Sequence, residues 1–171
     1  MLQNSQLIKF YKYNGLGNDF IIIDICDKIW RPTSQWLCKQ ACRKSGIGFD
    51  QALFITNKTL TENAIPSFAY KIANANGSWV EQCGNGARCV GAWLMSQDQW
   101  QHGNNLYLKT TDRQLLVTKL ANNMYTTEMG QIINGTFNKN NQNNLTQFKT
   151  PYGTFNCLCF FIGNPHIVIH D

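Results

Sequence analysis

Long apolar runs and charged residues are both scarce in this 171-residue chain. No stretch reaches the roughly 18 consecutive apolar residues of a membrane-spanning helix. The first twenty residues lack the apolar segment and small-residue cleavage site of a secretory signal. Proline and glycine, at 4 and 13 residues, are too few for a collagen-like or linker-like chain. We therefore expect a cytoplasmic protein without a membrane partner.

Although only 15% of the residues are charged, 43% are hydrophobic, so the chain can bury a substantial core. Its length allows one domain, or one domain and part of a second. Basic residues outnumber acidic ones by 15 to 10, but Arg43 and Lys44 form the one adjacent basic pair. Nucleic-acid binding requires a clustered basic surface, so we expect no nucleic-acid partner.

The seven cysteines are an odd number, which excludes complete internal disulfide pairing. Without an export signal, reduced thiols are the default state. Three short-spaced pairs of potential metal ligands occur: Cys38 with Cys42, Cys157 with Cys159, and His166 with His170. None has the spacing of a zinc ribbon or zinc finger. We expect core cysteines and no metal, with zinc as the alternative.

The residue pattern predicts a β-rich chain with two helices. Helices are expected over 33–44, capped by Thr33 or Ser34, and over 85–97. Strands are expected at 7–13, 20–25, 50–55, 106–111 and 115–120, in a hairpin over 66–82, and at 156–163 and 167–170 around a turn at 163–166. A polar loop is expected over 134–148. The pattern favours an α+β roll over a doubly wound sheet.

The most informative segment, NANGSWVEQCGNGAR, places Cys83 between a predicted strand and a predicted helix. Unpaired backbone N–H groups and the helix dipole favour a thiolate there. The N–H groups of Gly84 and Asn85 suit a carboxylate, and glycine allows its close approach. This combination indicates removal of a proton α to a carboxylate. A buried structural cysteine at a tight turn is the alternative.

Four amide side chains occur at predicted strand ends, namely Asn18, Gln51, Asn74 and Asn164. Each is an uncharged hydrogen-bonding group that can hold an ammonium or a carboxylate without taking a proton. An ordinary turn function is the alternative, because asparagine is common in turns. No G-x-S-x-G motif occurs, so a serine hydrolase is not indicated.

The segments GLGNDFIIID, GIGFDQALF, ANANGSWVEQCGNGARC and GNPHIVIHD, in this order, resemble the diaminopimelate epimerase family. The resemblance extends from about Lys9 to the last residue, and EQCGNGAR is its most specific part. It implies two similar halves, each a β-sheet rolled around a central helix, with the active site between them. It also implies a homodimer that needs no cofactor and inverts the α-carbon between L,L- and meso-diaminopimelate, in lysine and cell-wall precursor synthesis.

In this family a pair of cysteines, one from each half, acts as thiolate base and thiol acid on opposite faces of the α-carbon. By motif, Cys83 matches the catalytic cysteine of the first half. The residues that match substrate-binding positions are Asn18, Gln51, Asn74, Gly84, Asn85 and Asn164.

The chain departs from the family pattern in two places. The second cysteine motif, of the A-C-G-T-G kind, does not occur. Cys157 and Cys159 cannot replace it, because they lie in an apolar strand without a glycine or a helix start. The family often has Arg-His where this chain has Arg43-Lys44, a change we expect to lie outside the chemistry.

We therefore predict a first half over residues 1–121 and only the opening strands of a second half over 122–171. We expect that this chain alone does not complete the inversion. Two alternatives stay open. One is a non-catalytic substrate-binding fragment, and the other is an isomerase of another small acid, of the proline-racemase or phenazine-biosynthesis kind.

Overall fold

The computed structural model describes residues 7–60, 64–98, 100–111, 113–134, 145–162 and 164–169. The chain forms two compact units, Met1–Glu128 and Met129–Asp171. The first unit is a mixed β-sheet with two helices, and the second is a small antiparallel sheet.

The sheet of the first unit has eight strands. They are β1 (Tyr11–Gly15), β2 (Asn18–Asp24), β3 (Gln51–Thr59), β4 (Ser67–Asn74), β5 (Trp79–Val80), β6 (Asn105–Lys109), β7 (Gln114–Lys119) and β8 (Tyr125–Thr127). Their order is β1-β2-β3-β4-β6-β7-β8, with β5 paired to β4. The pairs β2–β3 and β4–β6 are parallel. Parallel neighbours need a crossover connection, and helices α1 (Ser34–Ala41) and α2 (Gly84–Met95) lie in those two connections.

Strand β2 is apolar on both faces because each face is covered by a different helix. Successive side chains of a strand point to opposite faces. Phe20 and Ile22 belong to the core that contains α2, whereas Ile21 and Ile23 belong to the core that contains α1. All four are fully buried, which explains the uninterrupted apolar run in the sequence.

Helix α2 lies inside the curl of the sheet. It contacts β1 and β8, the two edge strands, as well as β2, β3 and β7 between them. A sheet whose two edges both touch one helix must curl around it. The predicted α+β architecture, a β-sheet rolled around a central helix, is therefore confirmed.

Helix α1 covers the other face of the sheet. The Oγ1 atom of Thr33 accepts a hydrogen bond from the backbone N–H of Trp36 at 3.1 Å, so Thr33 is the N-cap. Leu37 and Ala41 are its buried residues. Both helices occur where the sequence predicts them, with ends that differ by up to three residues.

The hairpin predicted over 66–82 is also confirmed. Strands β4 and β5 pair antiparallel, with Ile72 opposite Val80. At the turn Gly77 has φ +82°, and a Cβ there would lie 2.8 Å from the Cβ of Ser34. Glycine is therefore required for both the backbone conformation and the close approach of α1.

The second unit consists of β9 (Ile133–Asn134), β10 (Leu145–Thr150), β11 (Gly153–Ile162) and β12 (Asn164–Ile169). Cys157 and Cys159 are both buried on one face of β11, as predicted for core cysteines. Before this unit, a short 3-10 turn at Ala121–Asn123 is followed by β8, which pairs with β7. The chain divides after Glu128, whereas the sequence placed a boundary near residue 121. Equivalence of the two units to two halves stays a prediction.

Two expectations about the second unit were wrong. The loop predicted over 134–148 is a strand from Leu145 onward, because pairing of β10 with β11 outweighs its polar composition. Residues 135–144 of that loop lie outside the described residues. The turn predicted at 163–166 is shorter, because Asn164 already pairs with Ile162. Pro165 is accommodated because β12 is an edge strand.

The contact of α2 with β7 leads to a stability prediction. A Cβ on Gly91 would lie 2.5 Å from Cγ1 of Val117, which is fully buried. Overpacking costs about 1–3 kcal/mol, against roughly 1 kcal/mol gained in helix propensity. We expect Gly91→Ala to lower the free energy of unfolding by about 1 kcal/mol in urea denaturation. Combined with Val117→Ala, it should destabilise by less than the sum of the single changes; simple additivity would contradict the contact.

Candidate active site

Three of the predicted binding residues lie at one end of the sheet. Asn18 begins β2, Gln51 begins β3 and Asn74 ends β4. Because β3 runs parallel to β2 and antiparallel to β4, these positions come side by side, with Gln51 opposite both Phe20 and Asn74. The sheet topology therefore brings together residues that are 23 to 56 positions apart in the chain.

Hydrogen bonds fix the amides of β3 and β4. The Nε2 atom of Gln51 donates to Oδ1 of Asn74 at 2.9 Å. Nδ2 of Asn74 in turn donates to Oγ of Ser78 at 3.0 Å, and the same hydroxyl donates to Oδ1 of Asn76 at 2.7 Å. The turn after β4 thus holds Asn74 in one orientation.

Cys83 is the N-cap residue of α2. Its Sγ accepts a hydrogen bond from the backbone N–H of Gly86 at 3.4 Å, and its backbone oxygen accepts from Ala87 at 2.8 Å. The side chain is half-buried. As the first two helical residues, Gly84 and Asn85 have N–H groups without an intrahelical acceptor. The thiol and these N–H groups meet where the helix dipole favours negative charge.

Asn85 joins the start of α2 to the start of β2. Its Nδ2 donates to Oδ1 of Asn18 at 2.9 Å, and its Oδ1 accepts from the guanidinium of Arg88. Predicted site residues from both elements are thus in direct contact.

Two amide atoms at this end of the sheet have no partner in the described part of the chain: Nδ2 of Asn18 and Oε1 of Gln51. An amide N–H suits a carboxylate oxygen, and an amide oxygen suits an ammonium group. The site therefore presents one donor and one acceptor, both uncharged.

Glycines allow α2 to approach the sheet at its N-terminus. A Cβ on Gly86 would lie 3.1 Å from Cδ2 of Leu53 in β3. A Cβ on Gly15, the last residue of β1, would lie 2.9 Å from Sγ of Cys89 and 3.3 Å from the backbone oxygen of Asn85. Side chains at these positions would move the helix start away from the strands.

Two titratable groups near Cys83 are held neutral by burial. Burial raises the pKa of Tyr70 well above its usual range, and negative charge on Cys83 raises it further. Burial, followed by the same charge, raises the pKa of Cys89 to about 11, which Arg88 opposes. The hydroxyl of Tyr70 has no hydrogen-bond partner in the described part of the chain. Neither group is an anion at neutral pH.

The remaining cysteines of the first unit differ in exposure, and two of them have shifted pKa values. Burial, and secondarily a hydrogen bond with Asp24, raises the pKa of Cys26 to about 12. The pKa of Cys42 is lowered by hydrogen bonds from the Ser45 hydroxyl and from backbone N–H groups. Cys38 and Cys42 are both exposed, so their expected place in the core was wrong. They lie on α1 and at its C-terminal cap, outside its buried face.

Sequence reasoning missed three charged residues beside the site. Arg43 forms ion pairs with Asp19 and Asp50, the carboxylates adjacent to Asn18 and Gln51. The signal was present, because the motifs GLGND and GFDQ each contain one of these aspartates. They were passed over because only the amides matched substrate-binding positions.

The predicted residue Asn164 lies in the second unit, where it begins β12. Within the described ranges, no three His, Cys, Asp or Glu side chains converge to hold a metal ion. Those ranges contain no helix with the length and apolar character to cross a membrane.

Comparison with known proteins identifies relatives over most of the chain. The family model for diaminopimelate epimerase matches residues 10–132. A diaminopimelate epimerase of Buchnera aphidicola subsp. Baizongia pistaciae is 36% identical over 175 residues, covering 99% of this chain and 60% of that protein. A diaminopimelate epimerase of Legionella pneumophila (strain Corby) is 49% identical over 83 residues, covering 48% of this chain and 29% of that protein. The chain thus spans about 60% of the first of these curated relatives.

Among solved structures, a hydroxyproline epimerase from Agrobacterium vitis, with bound trans-4-hydroxy-L-proline, is similar with a TM-score of 0.67. The similarity covers 98% of this chain and 53% of that one, at 10% sequence identity. At this identity the likeness shows a shared fold.

The burial and pKa differences predict an order of thiol modification. Among the cysteines of the first unit, with iodoacetamide at pH 8, we expect Cys42 to react before Cys38, and Cys26 and Cys89 to react last. A thiol of pKa about 12 is only about one part in ten thousand thiolate at that pH. Cys83 should react at a rate similar to those of the exposed Cys38 and Cys42, because it is only half-buried and lies at a helix start. Peptide mass spectrometry over time measures each rate; modification of Cys83 no faster than Cys89 would contradict the site.

Proposed function

The chain belongs to the diaminopimelate epimerase family, and on that basis we propose that it acts in the interconversion of L,L- and meso-diaminopimelate. The observation that carries the proposal is the position of Cys83. It caps α2 at the end of the sheet where Asn18, Gln51 and Asn74 meet.

In the proposed reaction, Cys83 removes the α-proton as a thiolate, or returns it as a thiol in the reverse direction. Loss of the α-proton moves negative charge onto the carboxylate of the substrate. Backbone N–H groups of Gly84 and Asn85, at the start of α2, are suited to hold that charge. A fixed donor site of this kind lowers the barrier because it needs no rearrangement as the charge develops.

The amide side chains account for recognition of an amino acid in its zwitterionic form. Asn18 offers Nδ2 to a carboxylate, and Gln51 offers Oε1 to an ammonium. Because amides do not titrate, these contacts persist through the reaction and leave the proton transfer to the thiol. Asn74 holds Gln51 through their 2.9 Å hydrogen bond.

Inversion also needs a proton donor on the opposite face of the α-carbon. The family resemblance assigns that role to a second cysteine. Each of the other six cysteines lies elsewhere than at a helix N-terminus: Cys26 after β2, Cys38 in α1, Cys42 at its C-terminal cap, Cys89 inside α2, and Cys157 and Cys159 in β11. We therefore propose that Cys83 provides one member of the acid–base pair.

The proposal includes three expectations, of which the first and the third follow from the family resemblance and the second from the amino-acid sequence. The reaction requires no pyridoxal phosphate, the protein acts in the cytoplasm, and it forms a homodimer. The product serves lysine and cell-wall precursor synthesis. Exchange of the α-proton that survives exhaustive dialysis without added cofactor would support the first of these.

Replacing Cys83 provides the direct test. We expect Cys83→Ala to reduce exchange of the α-proton with deuterium oxide by at least about a hundred-fold, the usual contribution of a general base. Proton NMR with L,L- and with meso-diaminopimelate measures the exchange. Cys42→Ala, which removes an exposed thiol away from the site, should exchange like the unmodified protein.

Retained exchange from both stereoisomers in Cys83→Ala would overturn the assignment. Binding of meso-diaminopimelate in calorimetry without exchange in the unmodified protein would instead support a substrate-binding function. Exchange of trans-4-hydroxy-L-proline at a comparable rate would favour an isomerase of another amino acid.

Asn164 is tested by separating binding from thiol chemistry. We expect Asn164→Ala to weaken calorimetric binding of diaminopimelate by about ten-fold, as for the loss of one hydrogen bond. The iodoacetamide reaction rate of Cys83 should stay the same. Asn156→Ala, at an exposed position of β11, serves as the control. Unchanged binding in Asn164→Ala would remove this residue from the proposed site.

A further inference from the structure

We propose that Arg43 is a positioning residue that holds the starts of β2 and β3, and with them Asn18 and Gln51, in the geometry that binds substrate. The inference rests on the proposed function. It concerns residues that the family resemblance does not place in the site.

Arg43 connects two strands through two separate nitrogen atoms. One guanidinium nitrogen pairs with Oδ2 of Asp19 in β2, and the other pairs with Oδ1 of Asp50 at 2.9 Å, just before β3. Only a planar guanidinium offers two donors at this spacing, whereas a lysine offers one point charge.

The two aspartates are also bonded directly to each other's backbone. The N–H of Asp19 donates to Oδ2 of Asp50 at 2.8 Å, and the N–H of Asp50 donates to the backbone oxygen of Asp19 at 2.8 Å. The strand register begins with the next residues, Phe20 opposite Gln51. The contacts among Asp19, Asp50 and Arg43 therefore join β2 and β3 at the end of the pair where Asn18 and Gln51 lie. We call this set of contacts the carboxylate network.

The network reaches the third strand as well. The N–H of Ala75, which follows Asn74, donates to the backbone oxygen of Asp50 at 2.9 Å. Nδ2 of Asn14 in β1 donates to Oδ1 of Asp19 at 3.1 Å, so the network also includes β1. A residue adjacent to each of the three amides of the site is therefore held within one set of hydrogen bonds.

The loop after α1 places Arg43 against this network. Gly48 has φ +74°, and a Cβ there would lie 3.2 Å from both Cα and Cγ of Arg43. The N–H of Gly48 donates to the backbone oxygen of Gln40 at 2.9 Å. The loop thus folds back onto the stem of Arg43, and glycine leaves room for it.

The solvent exposure of Arg43 allows its effect on substrate binding to be distinguished from an effect on protein stability. The side chain of Arg43 is 56% exposed, and exposed ion pairs contribute little to stability. Removing it should change the unfolding transition only slightly. Small displacements of binding groups, in contrast, reduce the rate of a positioned reaction strongly.

The test compares Arg43→Gln, Arg43→Lys and Lys44→Gln, where Lys44 is the neighbouring cation outside the network. In the α-proton exchange assay, we expect Arg43→Gln to raise the KM for diaminopimelate about ten-fold or more, with a smaller change in kcat. Its Tm should change little. Arg43→Lys should recover part of the loss, and Lys44→Gln should match the unmodified protein. Arg43→Gln should leave the iodoacetamide reaction rate of Cys83 unchanged.

A measurement without substrate keeps this inference separate from the proposed function. Side-chain amide signals of Asn18 and Gln51 in ¹⁵N NMR should shift in Arg43→Gln and stay in place in Lys44→Gln. Unchanged amide signals together with an unchanged KM would overturn the role of Arg43. If the unmodified protein neither binds nor exchanges diaminopimelate, the proposed function fails, while the amide signals still decide whether Arg43 orders these side chains.

Discussion

The close approach of α2 to the inner face of the sheet is the constraint on which the rest of the first unit depends. Glycines at 15, 86 and 91 permit it, because a Cβ at any of them would come within 3.1 Å of a neighbouring side-chain atom. When α2 packs against the sheet in this way, its N-terminus lies at the end of the sheet where β2 and β3 begin. The position of Cys83 is therefore a consequence of core packing, and the acid–base role that we propose for it would use a helix end that packing has already placed.

Charged and uncharged groups alternate along the strand starts, and each has a different role. Adjacent residues of a strand point to opposite faces of the sheet, so Asn18 and Asp19 project in different directions. The aspartate meets Arg43, while the amide meets Asn85. Asp50 and Gln51 repeat the arrangement on the neighbouring chain segment. Full charges thus bind the strand starts to one another, and the uncharged amides are the groups that we propose to contact the substrate.

The sequence predicted both helices, the β4–β5 hairpin and the rolled sheet because these follow from local pattern and from motif. Thr33 as a cap and Asn76-Gly77 as a turn are local signals of this kind. The strand predicted at 167–170 begins earlier, at Asn164, because its pairing with β11, which the local pattern does not reveal, extends to that residue. The ion pairs of Arg43 with Asp19 and Asp50 also escaped prediction. They join residues 24 and 7 positions apart whose proximity depends on the parallel β2–β3 register.

The surroundings of Cys83 show why the helix start matters for the chemistry that we propose for it. Tyr70 and Cys89 are nearly fully buried, and burial raises the pKa of both, so they stay neutral at physiological pH. Neutral, apolar neighbours offer an anion no compensation for lost water. The N–H of Gly86 and the dipole of α2 supply that compensation. Displacing the helix start, for example by a side chain at position 86 against Leu53, would thus disturb the surroundings of the proposed base Cys83 and the core packing through the same contact.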